Sequence, residues 1–139
     1  MKKGTYNKYE QSYGGRENYF PCKLQKDKVG DCAIRAVAHA TETDYMEVMR
    51  EMFSLGLEMG RLPNDDLVVE KYLETKGFKK FSPLTHSGKK KYEVRYFPAE
   101  ENKTYIVRVS RHVTCIKNNV VLDIWNCGES AAQSYYVRD

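Results

Sequence analysis

No stretch of this chain approaches the roughly eighteen consecutive apolar residues that a membrane-spanning helix needs, which excludes a transmembrane reading. The start, Met1-Lys2-Lys3-Gly4-Thr5-Tyr6, is basic but has no apolar run behind it, so the expectation is a chain without a secretory leader, at work in the cytoplasm. CxxC knuckles are also missing. Cys22 and Cys32, and likewise Cys115 and Cys127, stand too far apart for a zinc ribbon or finger, and no metal is expected. Nor is a disulfide frame needed: 139 residues with 41% hydrophobic side chains supply one core of ordinary size and leave little room for a second. Internal repeats and low-complexity blocks are absent. The four cysteines are therefore expected to be reduced, each serving as core filler or as a reactive group.

Residues 1–20 hold almost no aliphatic side chain. Tyr6, Tyr9, Tyr13 and Tyr19 alternate there with Lys, Asn, Gln, Ser and the Gly14-Gly15 pair. Such a segment cannot offset its ordering entropy by burial alone, so it reads as a flexible arm, or as one laid on the domain by its tyrosines. Tyrosines among Lys2, Lys3, Lys8 and Arg16 could also stack on nucleic-acid bases. A single domain is expected over 21–139.

Its first half reads as helical. Asp31 can cap a helix through Cys32-Ala33-Ile34-Arg35-Ala36-Val37-Ala38-His39-Ala40, small and apolar nearly all round as a central buried helix would be. Asp31, Arg35 and His39 form its polar stripe, with Arg35 a buried ion-pair partner and His39 a structural hydrogen-bonder. Thr43-Asp44 opens a second helix, with Glu47 completing a capping box and Tyr45, Val48, Met49, Met52 and Phe53 on one face. A third begins at Pro63-Asn64-Asp65 and stops at Gly77.

After Gly77 the period becomes two. Tyr92–Tyr96 alternates and reads as a strand; Lys103–Ser110 and Val113–Ile116 follow. Asn118-Asn119 is a two-residue hairpin turn, Val120–Trp125 returns, and Tyr135-Tyr136-Val137 adds a short last strand. Helices first and an antiparallel sheet second make an α+β fold.

With the two asparagines at the hairpin tip, Cys115 faces Leu122, Thr114 faces Asp123 and His112 faces Trp125. His112 and Asp123 become diagonal neighbours on one face, their Cβ atoms roughly 7–8 Å apart. Val113, Cys115, Leu122 and Ile124 occupy the other face, suited to a core. A carboxylate beside His112 fixes its tautomer and stabilises the imidazolium. Cys32 supplies a nucleophile, since the first turn of a helix favours a thiolate. The neighbouring Asp31 opposes that thiolate unless it turns away to pair with Arg35. Trp125 either shields the His–Asp pair or fills core.

Gly30-Asp31-Cys32-Ala33-Ile34-Arg35-Ala36, Arg111-His112-Val113-Thr114-Cys115-Ile116 and Val121-Leu122-Asp123-Ile124-Trp125-Asn126 resemble the papain-like cysteine peptidase superfamily, most nearly its small phage and bacterial members and the C39-type peptidases. The resemblance extends over about residues 22–137, although its specific motifs cover only these three stretches. It implies a papain-like domain with Cys32 as nucleophile, His112 as general base, Asp123 as orienting acid and Gln25 as oxyanion donor. The Gly-Ser-Cys-Trp run of papain itself is replaced by Gly30-Asp31-Cys32-Ala33. The activity expected is hydrolysis or acyl transfer at an amide, isopeptide or thioester bond of a protein or peptide substrate, without a cofactor. The alternative is a binding protein whose chemistry has lapsed, or a phage factor that blocks a host protein by binding alone. It would use the stretch Lys76–Arg95, where Lys76, Lys79, Lys80, Lys89, Lys90, Lys91 and Arg95 face Glu93 alone, to meet nucleic acid or an acidic protein. The plainer account of that stretch is a solvated loop.

Overall fold

The computed structural model describes residues 5–22, 30–86, 88 and 90–138. Three helices precede most of the strands: α1 (Cys32–Thr41), α2 (Tyr45–Met59) and α3 (Asp66–Thr75). The strands are β1 (Lys8–Gln11), β2 (Lys79–Phe81), β3 (Thr85–His86), β4 (Lys90–Lys91), β5 (Thr104–Val109), β6 (His112–Lys117), β7 (Val120–Asp123) and β8 (Tyr135–Arg138). Six of them form one sheet in the order β1-β7-β6-β5-β8-β2, antiparallel except where β1 runs parallel to β7; β3 and β4 pair separately. The fold is α+β.

The helices start where side chains offer oxygen to exposed backbone donors. Asp44 accepts from Met46 and Glu47 N–H at the start of α2, and Asp65 accepts from Leu67 N–H at the start of α3. The third helix therefore opens just past Asp65, with Pro63 and Asn64 in the turn before it. α1 is apolar because it is central: Ala33, Ile34, Ala36, Val37, Ala38 and Ala40 are all buried. They pack with Val48, Met52, Val69 and Leu73 from the other helices and with Ile106, Val113, Cys115 and Tyr136 from the sheet.

The sheet's other face is also covered. Val107, Val109, Ile116 and Val121 meet Val94, Phe97, Cys127 and Tyr135 in a second cluster. The hairpin was expected to be apolar on one side only, yet Thr114 and Ile116, on the His112 side, are as buried as Cys115. Segments 92–99 and 126–132 supply the cover. Val94 and Arg95 donate to the carbonyls of Ser130 and Gly128, and Val94–Tyr96 forms a 3-10 turn rather than the strand read from alternation over Tyr92–Tyr96.

The β6–β7 register is the expected one, Lys117 opposite Val120, Ile116 opposite Val121 and Cys115 opposite Leu122. Asn118 and Asn119 both take positive φ, 52° and 60°, which the tight turn requires. The tyrosine-rich segment is not free of the domain. β1 pairs along the whole of β7, and Asn7 sends its side-chain amide to the carbonyls of Val94 and Phe97, 2.9 Å each. Backbone and amide hydrogen bonds hold it, a source of order that a count of aliphatic side chains overlooks.

Candidate active site

Cys32 is the first residue of α1, and the environment of its thiol is set by where Asp31 points. Asp31 occupies the N-cap position without capping. Its carboxylate turns away and accepts from the Arg35 guanidinium, from Tyr45 Oη at 2.6 Å and from Arg16 Nη1 at 3.4 Å. The cap expected from the sequence is displaced because three donors inside the protein outcompete one backbone N–H. The consequence is local: the negative charge beside Cys32 is neutralised by two guanidinium groups.

Across from Cys32 stands His112, the first residue of β6. The ring is near enough to the thiol to draw its pKa down, and the Val113 backbone acts in the same direction. The far side of the ring is held by Asp123, the last residue of β7, with His112 Nε2 donating to Asp123 Oδ2 at 2.5 Å. That leaves Nδ1 as the ring nitrogen available to the thiol. Asp123 is itself fixed, since its Oδ1 accepts from Ile124 N–H at 2.8 Å and Arg35 Nη2 lies 3.9 Å away. His112 and Asp123 are 8% and 4% exposed, so their attraction is little screened by water. The β6–β7 ladder ends at Cys115–Leu122, and the pair meets at the end of the sheet, over the first turn of α1.

The electrostatics follow from these contacts. Burial opposes the His112 imidazolium, but hydrogen bonds and charge from Asp123 and Cys32 outweigh it and raise the ring to about 9. Burial likewise opposes the Cys32 thiolate. His112, the Val113 backbone and the Arg35 charge prevail, bringing the thiol below its ordinary value. The other two buried thiols behave oppositely: burial pushes both Cys115 and Cys127 up to about 12. A thiol, an imidazole and a carboxylate in line can move the sulfur's proton to the ring and hold it there.

Trp125 lies against the His112 ring, centroids 4.7 Å apart, and remains 37% exposed. It covers one face of the imidazole and is open to water on its own outer side, which fits shielding better than core filling. His39 is a structural hydrogen-bonder, its Nε2 2.8 Å from Ser12 Oγ, and burial keeps its pKa low. Gln25 lies outside the described residues. Cys32's own N–H sits in the first turn of α1, where the helix supplies no carbonyl partner.

Two contributors were missed in the sequence. Arg16 was grouped with the basic residues of the arm, yet it bonds Tyr45 Oη at 2.9 Å and reaches Asp31. The signal lay in Gly14-Gly15, which lets the chain turn against α1: a Cβ on Gly14, at φ +66°, would stand 2.9 Å from Arg35 O. Cys127 is the second, its Sγ 3.8 Å from Asp123 Oδ2. His112, Asp123 and Cys127 form the one cluster of potential metal ligands among the described residues, their atoms within 4.8 Å of one another. Asp123 already accepts from the other two, and a thiol raised to about 12 is a poor source of the thiolate a metal needs.

The basic stretch is partly neutralised. Lys76 lies 3.9 Å from Glu51, Lys80 3.0 Å from Glu70 and Arg95 2.7 Å from Glu93. Lys89 is outside the described residues. No protein-family model, curated protein or solved structure matches this chain.

Proposed function

We propose that this protein is a cysteine-dependent hydrolase or acyl transferase of papain-like architecture, acting on an amide, isopeptide or thioester bond of a protein or peptide. The observation that carries the reading is Cys32, at the start of α1, beside a His112 ring that is hydrogen bonded to Asp123, with the neighbouring carboxylate of Asp31 turned away. His112 takes the Cys32 proton, and the thiolate attacks the substrate carbonyl. The Cys32 N–H faces the developing oxyanion, and the proton on His112 passes to the departing amine or thiol as the carbon–heteroatom bond breaks. What remains is a thioester on Cys32. Water, deprotonated by His112, then attacks it, restoring the thiol and releasing the carboxylic acid; an amine in place of water makes the reaction a transfer. Asp123 keeps the ring oriented and supports its positive charge throughout.

The experiment is iodoacetamide labelling read by peptide mapping. Cys32 labels in the folded protein at mildly acidic pH, faster than Cys22, and His112→Ala slows it by roughly 10²-fold or more. Equal, slow labelling of both thiols overturns the reading. The alternative, a binding protein with lapsed chemistry, rests on the charge of Lys76–Arg95, and Glu51, Glu70 and Glu93 weaken that footing. Nucleic-acid binding that falls steeply with salt and is indifferent to Cys32→Ala would favour it.

A further inference from the structure

Between the β3–β4 pair and the segments that cover the sheet's second face lies a cavity of about 720 Å³, within the range for small-molecule sites. His86 of β3, Lys90 and Lys91 of β4, and Tyr92, Tyr96 and Glu129 line it. Backbone hydrogen bonds preform the walls. β3 and β4 pair His86 with Lys90 and Thr85 with Lys91. Beyond β4, Ala132 N–H donates to Tyr92 O at 2.7 Å, and Val94 N–H donates to Ser130 O at 2.9 Å.

The lining has three kinds of chemistry. The first is aromatic: the His86 and Tyr92 rings lie 5.1 Å apart, and Tyr96 is 45% exposed. The second is cationic. Among the described residues no carboxylate pairs with Lys90 or Lys91, and the Lys91 ammonium donates to the neutral side-chain oxygen of Gln133. The third is acidic. Glu93 is already held by Arg95 at 2.7 Å, whereas Glu129 is in no ion pair among the described residues. A guest that satisfies all three has a flat ring, an anion of about two charges and a hydrogen-bond donor on the ring.

We propose that this cavity binds a nucleoside monophosphate, with its phosphate at Lys90 and Lys91, its base against Tyr92 and Tyr96, and its base amine at Glu129. A phosphate monoester carries about −1.5 to −2 at pH 7, which two ammoniums balance. Aromatic side chains stack on a base whatever its sequence context. A nucleic-acid strand suits the cavity less well, because Glu93 and Glu129 would repel the phosphates that follow the first. The site is independent of the Cys32 chemistry and stands whether or not that thiol is a nucleophile.

The test is isothermal titration calorimetry of the full chain at low salt with adenosine 5′-monophosphate, adenosine, inorganic phosphate and phenyl phosphate. The nucleotide should bind at least about tenfold more tightly than any of the other three, since each lacks the base or the phosphate. Lys90→Ala with Lys91→Ala should bring the nucleotide down to the level of adenosine. Tyr96→Ala should weaken nucleotide and nucleoside alike, by about tenfold. All three positions are exposed, and an unchanged melting temperature confirms that the variants fold. No measurable nucleotide binding, or binding indifferent to the lysine pair, overturns the site. Phenyl phosphate or inorganic phosphate binding as tightly as the nucleotide overturns its assignment to a nucleoside. A single-stranded octanucleotide that binds far more tightly than the monomer, with a steep loss in salt, overturns it in favour of a strand.

Discussion

A proton shared along Asp123, His112 and Cys32 can rest on the ring or on the sulfur, and the surroundings favour the ring. His112 is raised from 6.5 to about 9 by Asp123 and Cys32 against the cost of burial. A value higher in the folded than in the unfolded chain gives a stabilisation complete below pH 6.5 and lost as pH rises through about 9. Thermal stability should therefore fall on going from about pH 7 to about pH 10, and Asp123→Asn should flatten that decline. An unchanged slope in the variant would detach His112 from Asp123. Arg35 is the second residue on which the site turns. Its guanidinium, 6% exposed, lies between Asp31 and Asp123, and two carboxylates near one thiol are tolerable only with a cation between them. Arg35→Met should cost about 3–5 kcal/mol in urea denaturation, because it strands buried charge, and Asp31→Asn on that background should recover part of the loss.

At the scale of the elements, α2 carries a glycine in mid-helix. Helix propensity alone predicts that Gly56→Ala stabilises by about 1 kcal/mol. Packing predicts the reverse. A Cβ there would stand 2.5 Å from Arg61 O, backbone that cannot swing aside, so the substitution should destabilise by about 1–3 kcal/mol in urea unfolding. This contact joins residues only five apart, yet no local pattern announces it. What the sequence does announce is periodic. Val48, Met52 and Tyr45 lie buried at helical spacing, and Asn118-Asn119 set the β6–β7 register from which His112 and Asp123 were placed as neighbours. Tyr92–Tyr96 shows where periodicity misleads, for its alternation serves a turn and its flank, whose backbone bonds run to residues 128–132. The direction of Asp31 was legible only as a condition, since Arg35 stands at i+4 but Tyr45 and Arg16 reach it through the fold. Side chains whose roles depend on distant partners leave no trace in spacing.

For the molecule as a whole, the N-terminal segment decides whether the site is finished. β1 closes the edge of the sheet at β7, where Ser12 N–H donates to Asp123 O at 2.8 Å and Gln11 Nε2 to Ile124 O at 3.2 Å. The carboxylate that steadies His112 thus sits on backbone held from the far side by residues 11 and 12. Gly14 and Arg16 continue the same segment against α1, so one stretch of chain touches Asp123 and also Asp31, the chain neighbour of Cys32. Deleting residues 1–13 removes the buried bonds of Asn7 and the whole β1 ladder. The loss should reach at least about 2 kcal/mol at roughly 1 kcal/mol for each of the Asn7 bonds. Thermal melting should drop by roughly 5–10 °C, and the bared edge of β7 should promote association. Cys32 alkylation should slow as well, because Asp123 loses its support. An arm merely tethered to a finished domain would leave both the melting temperature and the alkylation rate where they were. Measuring the two together on the truncated chain separates a segment that completes the site from one that only adorns it.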